Sequence, residues 1–171
     1  MTASASIFVL SGLGVGLAIA ASLVEPRPIL VWNATASAPR GLYCIAPLTG
    51  LQAGDLVLVQ PDPASAALYA ERGYLPLGVP LLKRVGALGG MRVCEHGGDV
   101  TIEGRHVVNA LPIDGRGRPM TSWSGCRALS DREFFALNAD VPTSLDGRYF
   151  GPSLLSSALG RAIPVWTIKE R

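Results

Sequence analysis

The tract from Ile7 to Val24, IFVLSGLGVGLAIAASLV, carries no charge and nothing more polar than serine. Wound as a helix it would be about 27 Å long, close to the hydrocarbon thickness of a bilayer. Ala18-Ile19-Ala20 is a small-residue triplet of the kind found at signal-peptide cleavage sites. No basic segment precedes the tract, however, and it exceeds the usual length of a signal-peptide core. We therefore expect residues 1–28 to form an uncleaved membrane anchor and its proline-containing exit, Glu25 to Pro28, with a single N-terminal transmembrane helix in contact with lipid through residues 7–24. Arg27 and Arg40 follow the tract and no Lys or Arg precedes it, a distribution that by itself favours a cytoplasmic C-terminus.

The chain has 171 residues, so residues 29–171 are enough for one domain with its own core. Net charge is +2 and only 16% of residues are charged, without a basic stripe to follow a phosphate backbone; nucleic acid is excluded as an expected partner. Twenty glycines and thirteen prolines favour short strands and many turns. The expected fold is mainly β: an antiparallel β domain with one short helix. Strands are expected at Ile29 to Trp32, Gly41 to Ala46, Asp55 to Gln60, Pro80 to Leu88, Met91 to Glu95, Asp99 to Glu103, His106 to Ala110 and Ala162 to Ile168. A hairpin through His96-Gly97-Gly98 joins two of them. Asp62 before Pro63 predicts the helix, running to Glu71 and ended by Gly73. Glu133 to Leu137 fits a strand, while Ser130 with Glu133 also fits a capping box.

Cys94 and Cys126 could close a glycine-rich loop, a bridge that would stabilise by about 3 to 4 kcal/mol and would imply an oxidising compartment. Spacing alone leaves three idle thiols equally open, and Cys44 is unpaired on either reading. No cysteine or histidine spacing suggests zinc, and no metal or organic cofactor is expected.

Three segments place reactive groups in apolar or tightly turned sequence: Thr35-Ala-Ser37-Ala-Pro39, Pro80-Leu-Leu-Lys83-Arg-Val, and Ser144-Leu-Asp146-Gly-Arg148-Tyr-Phe-Gly. Each has a plain alternative. A serine before proline is usually a turn residue, a lysine in a strand usually protects an edge, and Asp146 with Arg148 could be an exposed ion pair worth under about 1 kcal/mol. Lys83, however, sits among Leu81, Leu82 and Val85, and desolvation lowers a lysine's pKa. A neutral lysine can take a proton from a serine hydroxyl and so replace the imidazole of a Ser/His/Asp triad. If Ser144 to Arg148 is extended, the side chains of Ser144, Asp146 and Arg148 share one face. In that arrangement the ion pair buttresses the site, and the Ser144 hydroxyl accepts from Lys83 and aims it at Ser37. His96 and His106 have no supporting motif for a triad. Arg84 reads as a structural or substrate-backbone contact.

In order and wording the three segments resemble the boxes of the type I signal peptidase family, most closely its conjugal-transfer branch, the TraF-type peptidases that process pilin subunits. Asn33 to Tyr43 resembles the serine box, LLKRV the lysine box, and SLDGRYFGP the Ser-x-Asp-x-Arg-Tyr box; Cys94 and Cys126 fall where that branch carries cysteines. The resemblance covers nearly the whole chain. It implies a signal-peptidase-like serine endopeptidase of the inner membrane with its domain in the periplasm, which overrules the charge distribution. Ser37 would be the nucleophile and Lys83 the general base, supported by Ser144, Asp146 and Arg148. The Ser37 amide and the Thr35 hydroxyl would hold the oxyanion. The implied partner is a pilin precursor or other exported protein, with the conjugative transfer apparatus around it, and the product would be either trimmed or cyclised. Gly147 departs from the serine frequent at that place, and a side chain there would face away from the polar row. Two rivals are a non-catalytic membrane-tethered scaffold of a conjugative secretion channel, which would not need a neutral Lys83, and a self-cleaving repressor-type domain. The apolar tract and the lack of a helix-turn-helix pattern speak against the second.

Overall fold

The computed structural model describes residues 3–22, 30–120 and 122–168. Strand β1 (Leu30–Asn33) folds back on β2 (Gly41–Ala46), pairing Leu30 with Cys44 and Asn33 with Gly41, so that residues 34–40 form a tight connection. The long strand β11 (Ala158–Thr167) lies beside β2 and bridges it to β3 (Leu56–Val59). β4 (Leu81–Leu88) follows β3, with Lys83 opposite Val57, and β9 (Glu133–Ala136) and the two-residue β10 (Ser153–Leu154) complete a seven-stranded antiparallel sheet. A second antiparallel sheet is formed by β5 (Arg92–His96), β6 (Asp99–Ile102), β7 (Arg105–Asn109) and β8 (Gly125–Ala128), in the order β7-β6-β5-β8. The fold is thus mainly β with few helices.

Apolar residues on the strands build the core where the sheets meet. Ala87, Val93, Val100, Phe135 and Leu137 pack the small sheet against β4 and β9. Val57, Val59, Val85 and Phe134 fill the interior beneath β3 and β4, and Tyr43, Leu58, Leu82 and Ala38 support the β1–β2 connection. Burying side chains of this size stabilises by about 1.5 to 3 kcal/mol each. It also fixes the strand that carries Lys83 on both of its faces.

Helix α2 (Pro63–Glu71) begins where the sequence predicts: Asp62 caps it, accepting from the amides of Ala64 (3.0 Å) and Ser65 (3.1 Å), and Gly73 ends it at φ +66°. The His96-Gly97-Gly98 hairpin also forms, with both glycines at positive φ. At Glu133 both readings contribute: Glu133 accepts from the Ser130 amide and hydroxyl, yet Glu133–Ala136 is strand. Several elements escaped the sequence. β8, Gly-Cys-Arg-Ala, lacks an apolar alternation, β10 is two residues long, and a one-turn helix α3 (Gly147–Phe150) stands where an extended segment was expected.

Helix α1 spans Ala3–Ser22. Among the described residues no helix is long and apolar enough to cross a membrane. Helix α1 covers Ile7 to Ser22 of the tract expected to span; Leu23, Val24 and the exit Glu25 to Pro28 lie outside the described residues. In the small sheet, Cys94 and Cys126 face each other across β5 and β8, 4.0 Å apart at Cα, and are joined by a disulfide. Cys44, half-buried on β2, is free.

Candidate active site

Asn33 ends β1 buried and organises the turn after it. Its Nδ2 donates to the carbonyls of Thr35 (3.1 Å), Ala38 (3.0 Å) and Pro39 (3.1 Å), and its Oδ1 accepts from the Thr35 amide (3.1 Å) and hydroxyl (2.8 Å). One side-chain amide thus satisfies backbone groups that have no strand partner. The buried Tyr43 donates its hydroxyl to the Pro39 carbonyl, and burial pushes its phenol pKa upward, so it remains a donor. Ser37 is held on this turn with its Oγ 3.1 Å from Thr35 Oγ1. Because the Thr35 proton goes to Asn33 Oδ1, an acceptor only, the Ser37 hydroxyl is the donor of that pair.

Lys83 is 2% exposed, although it is a lysine in mid-strand. Its Nζ donates to Ser144 Oγ at 2.8 Å. Burial pulls its pKa from 10.5 down to about 8; the Asp146 carboxylate pushes it back up, and the Arg148 guanidinium adds to the lowering. The next residue, Arg84, points to the exposed side and donates to the Gly54 carbonyl at 3.1 Å.

The segment expected to be extended from Ser144 to Arg148 is a turn followed by α3. Asp146 caps that helix by accepting from the Arg148 amide, so local hydrogen bonding displaces the alternating strand pattern. The polar groups still converge. Arg148 Nε and Nη2 donate to Asp146 Oδ1 (2.8 Å) and Oδ2 (3.1 Å). The remaining Arg148 donors reach the carbonyls of Pro142 (2.9 Å) and Asn138 (2.9 Å). Arg148 is fully buried and Asp146 nearly so, which excludes the exposed ion pair. Gly147 does not face open space either: a Cβ there would lie 2.7 Å from Phe135 Cε2 and 2.8 Å from the Ala136 carbonyl oxygen.

Thr35, Ser37, Lys83 and Ser144 line one cavity of about 230 Å³, walled also by Tyr74 and Leu145. Ser37 further lines a cavity of about 440 Å³ with Arg84, Asn138 and Asp140. A serine hydroxyl, a largely desolvated amine and a hydroxyl that orients it therefore share one concavity, the parts needed for acyl transfer without histidine. His96 and His106 are elsewhere, on the small sheet, with His106 Nε2 3.1 Å from Asp99 Oδ1. The ligand atoms of Cys94, His96 and Cys126 lie within 4.8 Å of one another, but the two sulfurs are bonded to each other and offer no thiolate. Sequence reasoning missed Asn33 and Asn138; single asparagines at strand ends carry no signal that separates them from ordinary turn residues.

Residues 2–167 match the family described as signal peptidase, peptidase S26. The chain is 41% identical over 145 residues to a probable conjugal transfer protein TraF of Sinorhizobium fredii, covering 79% of this chain and 76% of that protein. It is 38% identical over 148 residues to a conjugal transfer protein TraF of Agrobacterium fabrum, covering 79% of this chain and 81% of that one. A solved signal peptidase I of Enterococcus faecalis superposes with a TM-score of 0.40 at 17% identity, over 67% of this chain and 97% of that chain.

Proposed function

The chain belongs to the signal peptidase S26 family, and from that premise we propose that it is a membrane-anchored serine endopeptidase with a Ser37/Lys83 dyad. One observation carries this reading: Lys83 is buried, its pKa is lowered to about 8, and it lines the same cavity as Ser37. Neutral Lys83, oriented by Ser144, takes the Ser37 proton as Oγ attacks the scissile carbonyl. The Ser37 amide and Thr35 hydroxyl receive the developing oxyanion, which asks the Thr35 hydroxyl to turn from Asn33. Such a donor is worth about 3 to 4 kcal/mol of barrier. The Lys83 ammonium then protonates the leaving amine, and an ester on Ser37 remains. Lys83 deprotonates the incoming nucleophile: water yields a trimmed chain, whereas the substrate's own amino terminus yields a cyclic one. Asp146 and Arg148 act through position, holding the segment that presents Ser144.

Residues 1–28 serve as anchor and exit, residues 7–24 meeting inner-membrane lipid, and residues 29–171 work in the periplasm. The uncharged tract supports the first assignment and the Cys94–Cys126 disulfide, which suits an oxidising compartment, supports the second. The names of the relatives point to a substrate used in conjugation, a pilin precursor or another exported protein, and to the transfer apparatus as the setting. The test is mass spectrometry of such a precursor incubated in detergent with wild type or Ser37→Ala. Only wild type is expected to shorten it, and a product one water lighter than the linear chain marks cyclisation. Equal cleavage by the variant overturns the assignment.

A further inference from the structure

We propose that Asn138 is a positioning residue that sets the placement of Ser37 against Lys83; the proposal rests on the dyad reading above. β4 and β9 pair from Val85 onward, and β9 ends at Ala136. Two residues later the Asn138 side chain takes over the ladder. Its Oδ1 accepts from the Arg84 amide at 2.9 Å and its Nδ2 donates to the Leu82 carbonyl at 3.2 Å. These are the backbone groups on either side of Lys83, so the carboxamide stands in for a peptide unit of a neighbouring strand and clamps the segment that carries the base. The second Nδ2 proton goes to the Ser37 carbonyl oxygen.

Asn138 is 5% exposed, and both of its side-chain amide protons and its carbonyl oxygen are engaged. Its backbone is tied to the third segment: its amide donates to Asp146 Oδ2 at 3.0 Å and its carbonyl accepts from Arg148 Nη2 at 2.9 Å. One residue thus joins the nucleophile turn, the base strand and the Asp146–Arg148 pair, which are otherwise far apart in sequence. Neither leucine nor glutamine could replace it: the first has no polar atoms, and the second places its amide one methylene further out. Displacing a nucleophile by about 1 Å costs about 100-fold in rate, even when the altered residue is remote from the chemistry.

Asn138→Asp keeps the shape and the acceptor for the Arg84 amide but removes both donated bonds; Asn138→Ala removes all three. Each is compared with wild type, Ser37→Ala and Lys83→Ala, in detergent, on a precursor peptide. Concentrations are corrected for the folded fraction by circular dichroism. Both Asn138 variants are expected to lose about 10- to 100-fold in kcat with KM within about twofold of wild type. A loss confined to kcat in the folded fraction, with KM held, is a split that a purely structural role would not produce. Folded Asn138 variants with wild-type kcat, alongside inactive Ser37→Ala and Lys83→Ala, overturn this proposal and leave the dyad standing. An active Ser37→Ala overturns the dyad and this proposal with it. Asn138→Ala puts no charge against the Ser37 and Leu82 carbonyls, so it remains readable if Asn138→Asp fails to fold.

Discussion

Replacing Lys83 by Met asks whether the protein strains to keep an amine in its interior. The two side chains are similar in length, so Lys83→Met preserves most of the packing on β4. Lowering a lysine from 10.5 to about 8 on folding corresponds to about 3 kcal/mol. The sign comes from proton counting. Between pH 8 and 10.5 the folded state binds fewer protons at this site than the unfolded chain does, so stability rises with pH across that window. Below pH 8 the destabilisation is present in full. Met removes it, but strands the Ser144 hydroxyl, 2% exposed, without its donor, a loss of about 1 to 3 kcal/mol at every pH. The variant should therefore match or exceed wild type at pH 7 and become less stable than wild type at pH 10, a relative swing of about 2 to 3 kcal/mol. Urea denaturation of both proteins at matched pH measures the difference directly. If it stays constant within about 0.5 kcal/mol from pH 7 to 10, Lys83 is not desolvated as described and the reasoning fails.

The same geometry sets three further expectations. The log of kcat/KM should climb with unit slope below pH 8 and level off above it, because only neutral Lys83 can accept a proton; a midpoint near 6.5 or above 10 in a stopped assay would contradict this. Asp146→Asn leaves the fully buried Arg148 without its carboxylate and should destabilise by about 3 to 5 kcal/mol in urea titrations, far more than an exposed pair would. Cys94→Ser with Cys126→Ser opens a loop of sequence separation 32 and should lower stability by about 3 to 4 kcal/mol, read as a fall in Tm that reductant also produces in wild type.

Much of the fold could be read from the chain because local signals agreed with it. Asp62-Pro63 started a helix, Gly97-Gly98 closed a hairpin, and apolar runs such as Leu56 to Val59 became central strands. β8 was hidden because its pairing comes from β5 and the Cys94–Cys126 bridge rather than from its own residues. Ser144 to Arg148 misled in conformation but not in convergence: the side-chain spacing suggested a strand face, whereas Asp146 drew the backbone into a capped turn. The consequence for Gly147 was likewise invisible, since its contact with Phe135 depends on how α3 packs on β9. Asn138 could not be found from sequence at all. Its role arises where β9 ends and a side chain continues the ladder, which is a property of the pairing and not of any motif.

The central claim is that Ser37 carries the acyl group, and acid-quenched peptide mapping tests it most directly. Wild-type protein mixed with a precursor peptide and quenched within the first turnover should carry the mass of the acyl fragment on the peptide containing Ser37, with none in Ser37→Ala. An adduct on any other residue, or cleavage by Ser37→Ala at the wild-type rate, would contradict the account.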